Sequence, residues 1–142
     1  MNKNALFHKL VLFTSSVHRV TTELTKDVKS ELITQVQYKI LEYIAVNQSV
    51  TPSEVSECQN ISMPNTSREL RKLMEKGLIE KITDTEDRRK QFVCLSDKGK
   101  TMMNEAFSYI ESRFLTRMQN ASEEDLAEIE HALDILQTKV FY

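Results

Sequence analysis

Two closely spaced helix-start signals in the middle of the chain restrict this region to short helices. Thr34 and Gln37 have the spacing of a capping box, in which a hydroxyl and an amide satisfy the first free main-chain groups of a helix. Thr51 and Glu54 repeat this spacing, and Pro52 stands at the first helical position, where a missing N–H is tolerated. A helix that begins near residue 35 must therefore end before residue 51, where a second helix starts.

A third helix and two strands are predicted after these two helices. Ser62 is a helix-capping residue and Gly77 can take the left-handed conformation that ends a helix, so the pattern predicts a helix over residues 63–76. Residues 78–82 and 91–95 have the composition of strands, and a polar segment separates them. This order of elements predicts a winged helix-turn-helix.

Long amphipathic helices flank this region. Ser96 caps the helix after the hairpin, and Ser122 caps the last helix, which carries Glu123, Glu124 and Asp125 in its first turn. Each long helix has an apolar seam with alternating spacings of three and four, and such seams can pair within one chain or between two. The seam residues are Leu6, Leu10, Phe13, Val17, Val20 and Leu24, then Met103, Phe107, Ile110, Phe114 and Met118, and finally Leu126, Ile129, Leu133, Leu136 and Val140.

The predicted fold class is mainly α with a small β-hairpin wing (α+β). A length of 142 residues fits one domain of ordinary size. We therefore predict a single domain over residues 1–142, in which residues 34–100 form the winged helix-turn-helix and residues 1–30 and 101–142 form a helical part.

Charge and glycine content narrow the function classes. The net charge is 0 over residues 1–61, +3 over residues 62–100 and −5 over residues 101–142, so the middle third suits an anionic partner. Gly77 and Gly99 are the two glycines of the sequence, and they stand too far apart to form a glycine-rich phosphate loop. Ser/His/Asp, Cys/His and paired-carboxylate arrangements with catalytic spacing are missing from the sequence. We expect no enzyme activity and no cofactor.

Hydropathy, cysteine and histidine patterns predict a cytoplasmic protein that holds no metal and does not enter a membrane. Apolar runs in the sequence fall short of the roughly 18 to 20 residues needed to span a bilayer. Cys58 and Cys94 lack the spacing of a disulfide framework or a zinc site, so both are expected to be reduced thiols. His8, His18 and His131 show no ligand spacing.

The helix over residues 63–76 has the composition of a DNA-reading helix. On a helical wheel, Asn65, Arg68 and Lys72 lie opposite the apolar face formed by Leu70 and Leu73. An arginine can donate two hydrogen bonds to guanine, an asparagine can pair with adenine, and lysines suit phosphates. The alternative interpretation of the outward stripe is a solvated helix face.

The predicted hairpin tip is cationic. Arg88, Arg89 and Lys90 are consecutive on this loop, and cations on a projecting loop suit the negative potential of a narrow minor groove. Asp87 would repel phosphate, so we expect its carboxylate to orient a neighbouring arginine. The alternative is a soluble turn between two strands.

From Thr34 to Gly99 the chain resembles the MarR/SlyA family of transcription regulators. Gln37-Tyr38-Lys39-Ile40-Leu41 and Glu75-Lys76-Gly77-Leu78-Ile79 stand where that family keeps matching elements. The most specific likeness is Asp87-Arg88-Arg89 running on to Val93, Leu95, Ser96 and Gly99.

The resemblance implies a homodimer joined through its N- and C-terminal helices, residues 1–30 and 101–142. It also implies that two winged domains bind a palindromic operator in double-stranded DNA, with residues 63–76 in the major groove and Arg89 in the minor groove. A small aromatic or other organic effector, or thiol oxidation, would control binding. The predicted DNA-contacting residues are Ser62, Pro64, Asn65, Thr66, Ser67, Arg68, Arg71, Lys72, Arg88, Arg89 and Lys90, with Asp87 as the wing support.

We therefore expect a sequence-specific repressor that a small molecule releases from its operator, and two alternatives stay open. One is a related adaptor or antirepressor that binds protein instead of DNA. Such an adaptor should have lost the cationic residues of the DNA-binding surface, whereas this chain keeps Arg68, Arg88 and Arg89. The other is a thiol-redox-responsive regulator that acts through Cys58, a residue whose first expected role is a buried packing thiol. The sequence does not assign the lining of an effector pocket.

Overall fold

A computed structural model describes residues 2–28 and 33–142 of the chain. It divides into two compact units, residues 1–110 and residues 111–142. Positions 1, 29 and 30 of the predicted N-terminal helical part lie outside the described residues. The described elements, in chain order, are α1 (Lys3–Leu24), α2 (Gln35–Asn47), β1 (Ser49–Val50), α3 (Pro52–Gln59), α4 (Met63–Glu75), β2 (Ile79–Thr83), β3 (Gln91–Leu95), α5 (Asp97–Arg117) and α6 (Glu123–Lys139).

The predicted capping boxes of α2 and α3 are confirmed. The main-chain N–H of Gln37 donates to Thr34 Oγ1 and the N–H of Thr34 donates to Gln37 Oε1, both over 3.1 Å. Thr51 and Glu54 exchange the equivalent bonds at the start of α3, where Pro52 occupies the first helical position. These caps satisfy N–H groups that the helices cannot pair internally, which is why both helices begin where the sequence predicts.

A tight turn separates α3 from α4. Asn60 ends α3 in the left-handed conformation, with φ of 53°, a region that asparagine enters more readily than most residues. Ser62 then starts α4, and its hydroxyl accepts a hydrogen bond from the N–H of Asn65 over 3.2 Å. The predicted helix-turn-helix is therefore present.

The end of α4 is fixed by its own turn and by the start of α5. Gly77 has φ of +72°, and the N–H of Leu78 returns to the carbonyl of Leu73 over 3.0 Å, as the sequence predicts. The hydroxyl of Ser96 donates to the carbonyl of Gly77 and accepts from the N–H of Gly99. Ser96 thus caps α5 and holds the turn after α4 at the same time.

Three antiparallel strands form the sheet, in the order β1-β3-β2. Lys81 pairs with Val93 and Thr83 pairs with Gln91 across the hairpin, while Val50 pairs with Val93 on the other side of β3. The sequence analysis missed β1, because a strand of two residues carries no periodic pattern. The rest of the hairpin agrees with the prediction, except that β2 runs from Ile79 to Thr83 rather than over residues 78–82.

One core lies within the first unit and holds the helices of the winged helix on the sheet. It draws buried residues from α2, α3, α4, the strands and the start of α5, so these elements position one another. The core residues are Ile33, Tyr38, Ile40, Leu41, Ile44, Val50, Val55, Leu70, Leu73, Leu78, Ile79, Val93, Leu95 and Met103.

Helices α1 and α6 differ from the others because none of their described residues is buried. The predicted cap of α6 is present, with reciprocal bonds between Ser122 and Asp125 of 3.0 and 3.1 Å. Helix α6 ends at Lys139, so Val140 lies just beyond it, and Met118 lies just beyond α5. The apolar seams predicted for α1 and α6 are solvent-accessible in a single chain.

Candidate nucleic-acid interface

The outward face of α4 carries the polar side chains that the helical wheel predicts. Asn65, Arg68 and Lys72 are exposed, while Leu70 and Leu73 are buried against the core. The ammonium of Lys72 lies 3.8 Å from Glu69 Oε1. This separation of faces leaves donors of two kinds, an amide and a guanidinium, free to meet a partner along one side of the helix.

The neighbouring positions on α4 are exposed as well, with one exception. Thr66 is fully buried and its hydroxyl donates to the carbonyl of Ser62 over 2.9 Å, so its predicted DNA contact is wrong. Because the whole residue is buried, its side chain is not accessible to a partner. The remaining residues proposed for α4 and its cap are accessible to a partner, namely Ser62, Pro64, Asn65, Ser67, Arg68, Arg71 and Lys72.

The wing loop is a defined turn that projects its arginines. The N–H of Asp84 donates to the carbonyl of Lys90 over 3.1 Å, and the N–H of Lys90 donates to the carbonyl of Asp87 over 3.0 Å. Arg88 and Arg89 therefore occupy the two central positions of a four-residue turn, where both side chains are exposed.

Asp87 contacts Arg89 twice. Its Oδ1 accepts from the main-chain N–H of Arg89 over 3.0 Å and lies 3.6 Å from Arg89 Nε. The Arg89 side chain remains 95% exposed, so the contact orients the guanidinium without covering it.

A groove of about 370 Å³ separates α4 from the wing strands. Lys81 and Gln91 extend from the strands into this groove beside Arg71 of α4, and sequence reasoning missed both of them. The pairing of Lys81 with Val93 and of Thr83 with Gln91 is the missing information, because it sets which strand face meets α4. The other lining residues are Pro52, Ser67, Leu70, Met74 and Val93.

A larger cavity, of about 700 Å³, lies on the side of α5. Its charged wall residues are Lys98, Asp27 and Glu105, and its aromatic ones are Tyr38 and Tyr109. The size is that of sites that bind small organic molecules. The remaining wall is mostly apolar, formed by Val28, Ile33, Thr101, Met102, Met103 and Ala106.

Tyr38 is the buried polar residue of this wall. Its hydroxyl oxygen has no hydrogen-bond partner among the described residues, although the side chain is only 5% exposed. Burial, together with the nearby negative charge of Glu42, raises the pKa of Tyr38 far above its usual value. The phenol is therefore neutral at physiological pH.

The two cysteines differ in accessibility. Cys58 on α3 is exposed, so the expectation that it packs as a buried thiol is wrong, and the amide Nε2 of Gln59 lies 3.6 Å from its sulfur. Cys94 lies half-buried on β3, and both thiols are free. Within residues 2–28 and 33–142, no cluster of His, Cys, Asp or Glu could hold a metal ion. In the same part of the chain no helix is both long enough and apolar enough to cross a membrane.

The class of protein follows from this arrangement and from its relatives. Three helices, a tight turn and a sheet with a projecting hairpin define a winged helix. A sequence signature described as the MarR family matches residues 33–90. The HTH-type transcriptional regulator YdgG of Bacillus subtilis (strain 168) is 28% identical over 148 positions, covering 98% of this chain and 95% of YdgG.

Solved structures share the same fold. A MarR family protein from Bacillus stearothermophilus matches with a TM-score of 0.80 at 16% identity, covering 100% of this chain and 99% of that one. A mutant of MarR from E. coli in complex with operator DNA matches with a TM-score of 0.58 at 21% identity, covering 92% and 97%. Residues 33–90 therefore match the signature of the MarR family, and the chain has the winged-helix fold of these relatives.

Proposed function

We propose that this protein is a homodimeric, sequence-specific repressor that binds a palindromic operator and is released by a small-molecule effector. The observation that carries the proposal is the pairing of two cationic surfaces in one unit, the outward face of α4 and the wing turn with Arg88 and Arg89. A helix of this width fits the major groove, and exposed arginines on a turn suit the minor groove. The operator complex of E. coli MarR supports DNA as the partner.

The contacts divide by chemistry. Arg68 and Asn65 are the side chains proposed to read base edges, because their donors can form paired hydrogen bonds with guanine and adenine. Arg71 and Lys72 are proposed to hold phosphates, and Arg89 to enter the minor groove, with Lys90 beside it. Lys81 and Gln91 line the groove between α4 and the wing, so we add them as phosphate contacts between the two grooves of the duplex.

The dimer is proposed to form through residues 1–30 and 101–142. Exposed apolar side chains line α1 and α6, among them Leu6, Phe13 and Val17 on α1 and Leu126 and Leu133 on α6. Such rows are rare on monomeric proteins because water solvates them poorly, and a second chain would cover them. In a helix-turn-helix dimer, two recognition helices about 34 Å apart meet successive major grooves on one side of the duplex.

The effector is proposed to bind in the 700 Å³ cavity. An aromatic or other organic molecule would be covered by the apolar wall, and a hydrogen-bond acceptor on it would pair with the hydroxyl of Tyr38. Regulation of this kind requires the effector to bind more tightly to the form that does not bind operator. The protein is also proposed to act in the cytoplasm without enzyme activity.

One other candidate regulation has an observation in its favour. Cys58 is exposed on α3, next in the chain to the turn that leads into α4, so an oxidant can reach its thiol. Oxidation there would add polar bulk beside the helix-turn-helix. The cysteine would then control DNA binding in place of the cavity, and a Cys58→Ser variant that no longer responds to hydrogen peroxide would identify it.

Fluorescence anisotropy with a labelled duplex from the promoter of its own gene tests the proposal. We expect tight binding whose association constant falls linearly with salt concentration on a logarithmic plot, and much weaker binding to a scrambled duplex of equal composition. Run-off transcription from the same promoter should decrease when the protein is added. The absence of salt-dependent binding to any promoter fragment would instead favour a protein-binding adaptor.

A further inference from the structure

Gln37 is a buried amide that joins α2 to α4. The residue is only 2% exposed, and its Oε1 accepts from the ammonium of Lys76 over 2.9 Å as well as from the main-chain N–H of Thr34. Its Nε2 donates to Glu69 Oε2 over 3.0 Å. Gln37 therefore serves its own helix cap and bonds to two side chains of α4.

The two contacts on α4 lie on one flank of the helix. Glu69 and Lys76 are seven residues apart, which is two helical turns or about 10 Å along the axis. An attachment at two points restrains rotation of the helix about its axis and sliding along it, in addition to the restraint that the buried Leu70 and Leu73 provide. Arg68 and Lys72 follow any such motion because they stand on the same helix.

Lys98 of α5 holds the end of α4. Its ammonium donates to the main-chain oxygen of Lys76, the C-cap residue of α4, over 3.0 Å. A cation at this position also interacts favourably with the partial negative charge at a helix C-terminus. Lys76 thus receives contacts from two different elements, at its ammonium from Gln37 and at its carbonyl from Lys98.

We infer that Gln37 and Lys98 are positioning residues for operator recognition: the hydrogen-bonded chain Lys98–Lys76–Gln37–Glu69 sets the position of α4 that Arg68 needs. The inference rests on the proposed DNA-binding function. It deepens that function, because it assigns operator affinity to side chains that do not face DNA.

A swap of the Gln37–Glu69 pair tests the first half of the inference. Gln37→Glu keeps the acceptor for Lys76 and Thr34 but sets two carboxylates against each other, so we expect operator affinity to fall at least tenfold at pH 7.5. Glu69→Gln retains a hydrogen-bond acceptor for Gln37 but removes a negative charge beside Lys72, so this variant is the reference for the double variant. The double variant restores the bond with its direction reversed and should bind within threefold of Glu69→Gln.

The pH dependence separates positioning from general damage. In Gln37→Glu a single proton shared between the two carboxyl groups rebuilds the bond, so its affinity deficit should shrink as the pH is lowered from 7.5 to 5.5. The deficit of an unspecifically damaged protein would not shrink, and neither would that of Arg68→Ala. Normal operator binding by Gln37→Glu, or a double variant no tighter than Gln37→Glu, overturns the inference.

A matched lysine pair tests the second half. Lys98→Met removes the ammonium at Lys76 and should weaken operator binding about fivefold or more, whereas Lys100→Met, on the same helix and exposed, should bind normally. Equal affinities of these two variants would remove Lys98 from the inference.

Amide hydrogen exchange over residues 69–78 provides the readout without DNA. We expect faster exchange in Gln37→Glu and Lys98→Met and natural rates in the double variant. The natural protein could fail to bind its promoter DNA while these exchange rates still change as stated. That result would contradict the proposed function but would support the role of Gln37 and Lys98 in positioning α4. Unchanged exchange rates in both single variants overturn the positioning whatever the DNA result.

Discussion

Asp87 Oδ1 accepts a hydrogen bond from the main-chain N–H of Arg89 and lies 3.6 Å from the Nε of the same residue. One carboxylate oxygen therefore fixes both the backbone and the side-chain direction of an otherwise exposed arginine. Because Arg89 is 95% exposed, water screens the ion pair and its effect on stability is small. The contact matters for where the guanidinium points before it meets a partner.

This relationship predicts how the wing contributes to DNA binding. Arg89→Ala should weaken binding chiefly to operators with A·T-rich flanks, because a narrow minor groove concentrates negative potential. Asp87→Asn keeps an acceptor for the N–H of Arg89 but removes the charge, so it should cause a smaller loss on the same duplexes. Anisotropy with A·T-rich and G·C-rich flanks measures both effects. Equal losses of Arg89→Ala on the two flanks would argue against insertion into the minor groove.

The outward face of α4 makes a separate prediction about base reading. Arg68→Ala should cost about 1 to 3 kcal/mol of operator binding and relax base preference at one position per half-site. Lys72→Ala should instead weaken binding to all sequences alike and reduce the salt dependence, as expected for a phosphate contact. Competition with a set of single-base operator variants distinguishes the two patterns. Unchanged base preference in Arg68→Ala would mean that this guanidinium does not read a base.

The two glycines predict different outcomes on substitution. A Cβ at Gly99 would clash with the main-chain oxygen of Leu78, which accepts a hydrogen bond from the N–H of Ser96 and cannot move freely. Gly99→Ala should therefore lower the free energy of unfolding by about 1 to 3 kcal/mol or more. Gly77 has φ of +72° with open space around it, so the cost of Gly77→Ala comes from backbone strain, about 1 to 2 kcal/mol.

Asparagine distinguishes these two causes. Gly77→Asn should recover part of the stability lost in Gly77→Ala, because asparagine tolerates the left-handed region. Gly99→Asn should be no more stable than Gly99→Ala, because any Cβ meets the same oxygen. Urea denaturation of the four variants measures the differences, and recovery at position 99 would show that the clash is relieved by a backbone shift.

The buried hydroxyl of Tyr38 predicts a stability change with pH. The pKa of Tyr38 is raised by burial and by Glu42, so above pH 10 the unfolded chain loses the phenol proton while the folded chain keeps it. Stability is therefore retained below pH 10 and lost as the pH rises from there, by up to about 1.4 kcal/mol per pH unit.

Tyr38→Phe removes this titration. The variant should show a shallower fall in the free energy of unfolding above pH 10. At pH 7 it should be about 1 kcal/mol more stable, because an unpaired buried hydroxyl is removed. Tyr142→Phe, at an exposed position, is the control and should behave as the natural protein. Parallel urea-denaturation profiles for Tyr38→Phe and the natural chain between pH 8 and 11 would contradict the prediction.

Removal of the chain from Ser122 onward tests the proposed dimer. The exposed apolar residues of α1 would then lose a proposed partner seam, so we expect aggregated or unfolded protein. Sedimentation of the full chain should show a dimer at micromolar concentration, and circular dichroism should show reduced helix content in the truncated one. A truncated chain that is soluble, folded and monomeric would argue against a dimer formed through these helices.

The sequence predicted elements whose causes are local. Capping residues such as Thr34, Ser62 and Ser122 bond to main-chain groups within one turn. The helix starts that they mark can therefore be predicted from the sequence without any tertiary contact. The left-handed conformation of Gly77 and the separation of buried and exposed residues on α4 could also be predicted, because both depend on residues close in the sequence. The exposure of Arg68 and of the two wing arginines was predicted from these local patterns.

Thr66 was assigned to the DNA surface as a member of the recognition helix, although the helical wheel places it on the inward face beside Leu70, and the structure buries it there. Contacts between distant parts of the chain were beyond reasoning from local patterns. Lys81 lines the groove beside α4 because the pairing of β2 with β3 places it on that face of the sheet. Strand β1 is identified only by its pairing with β3. Gln37 was predicted as a cap residue, and its bonds to Glu69 and Lys76 became apparent only when α2 lay against α4.

By itself, the order of the amino acids determined which segments become the helices and the two hairpin strands, where the capped helices begin, and which face of the recognition helix is apolar. Only the packing of those segments decided which side chains meet across α2, α4 and α5 and which cavity they enclose. The physical reason is the separation along the chain of the residues that interact. A cap or a seam depends on neighbours a few residues away, whereas the contact of Lys98 with Lys76 joins residues 22 positions apart and exists only once the core has formed.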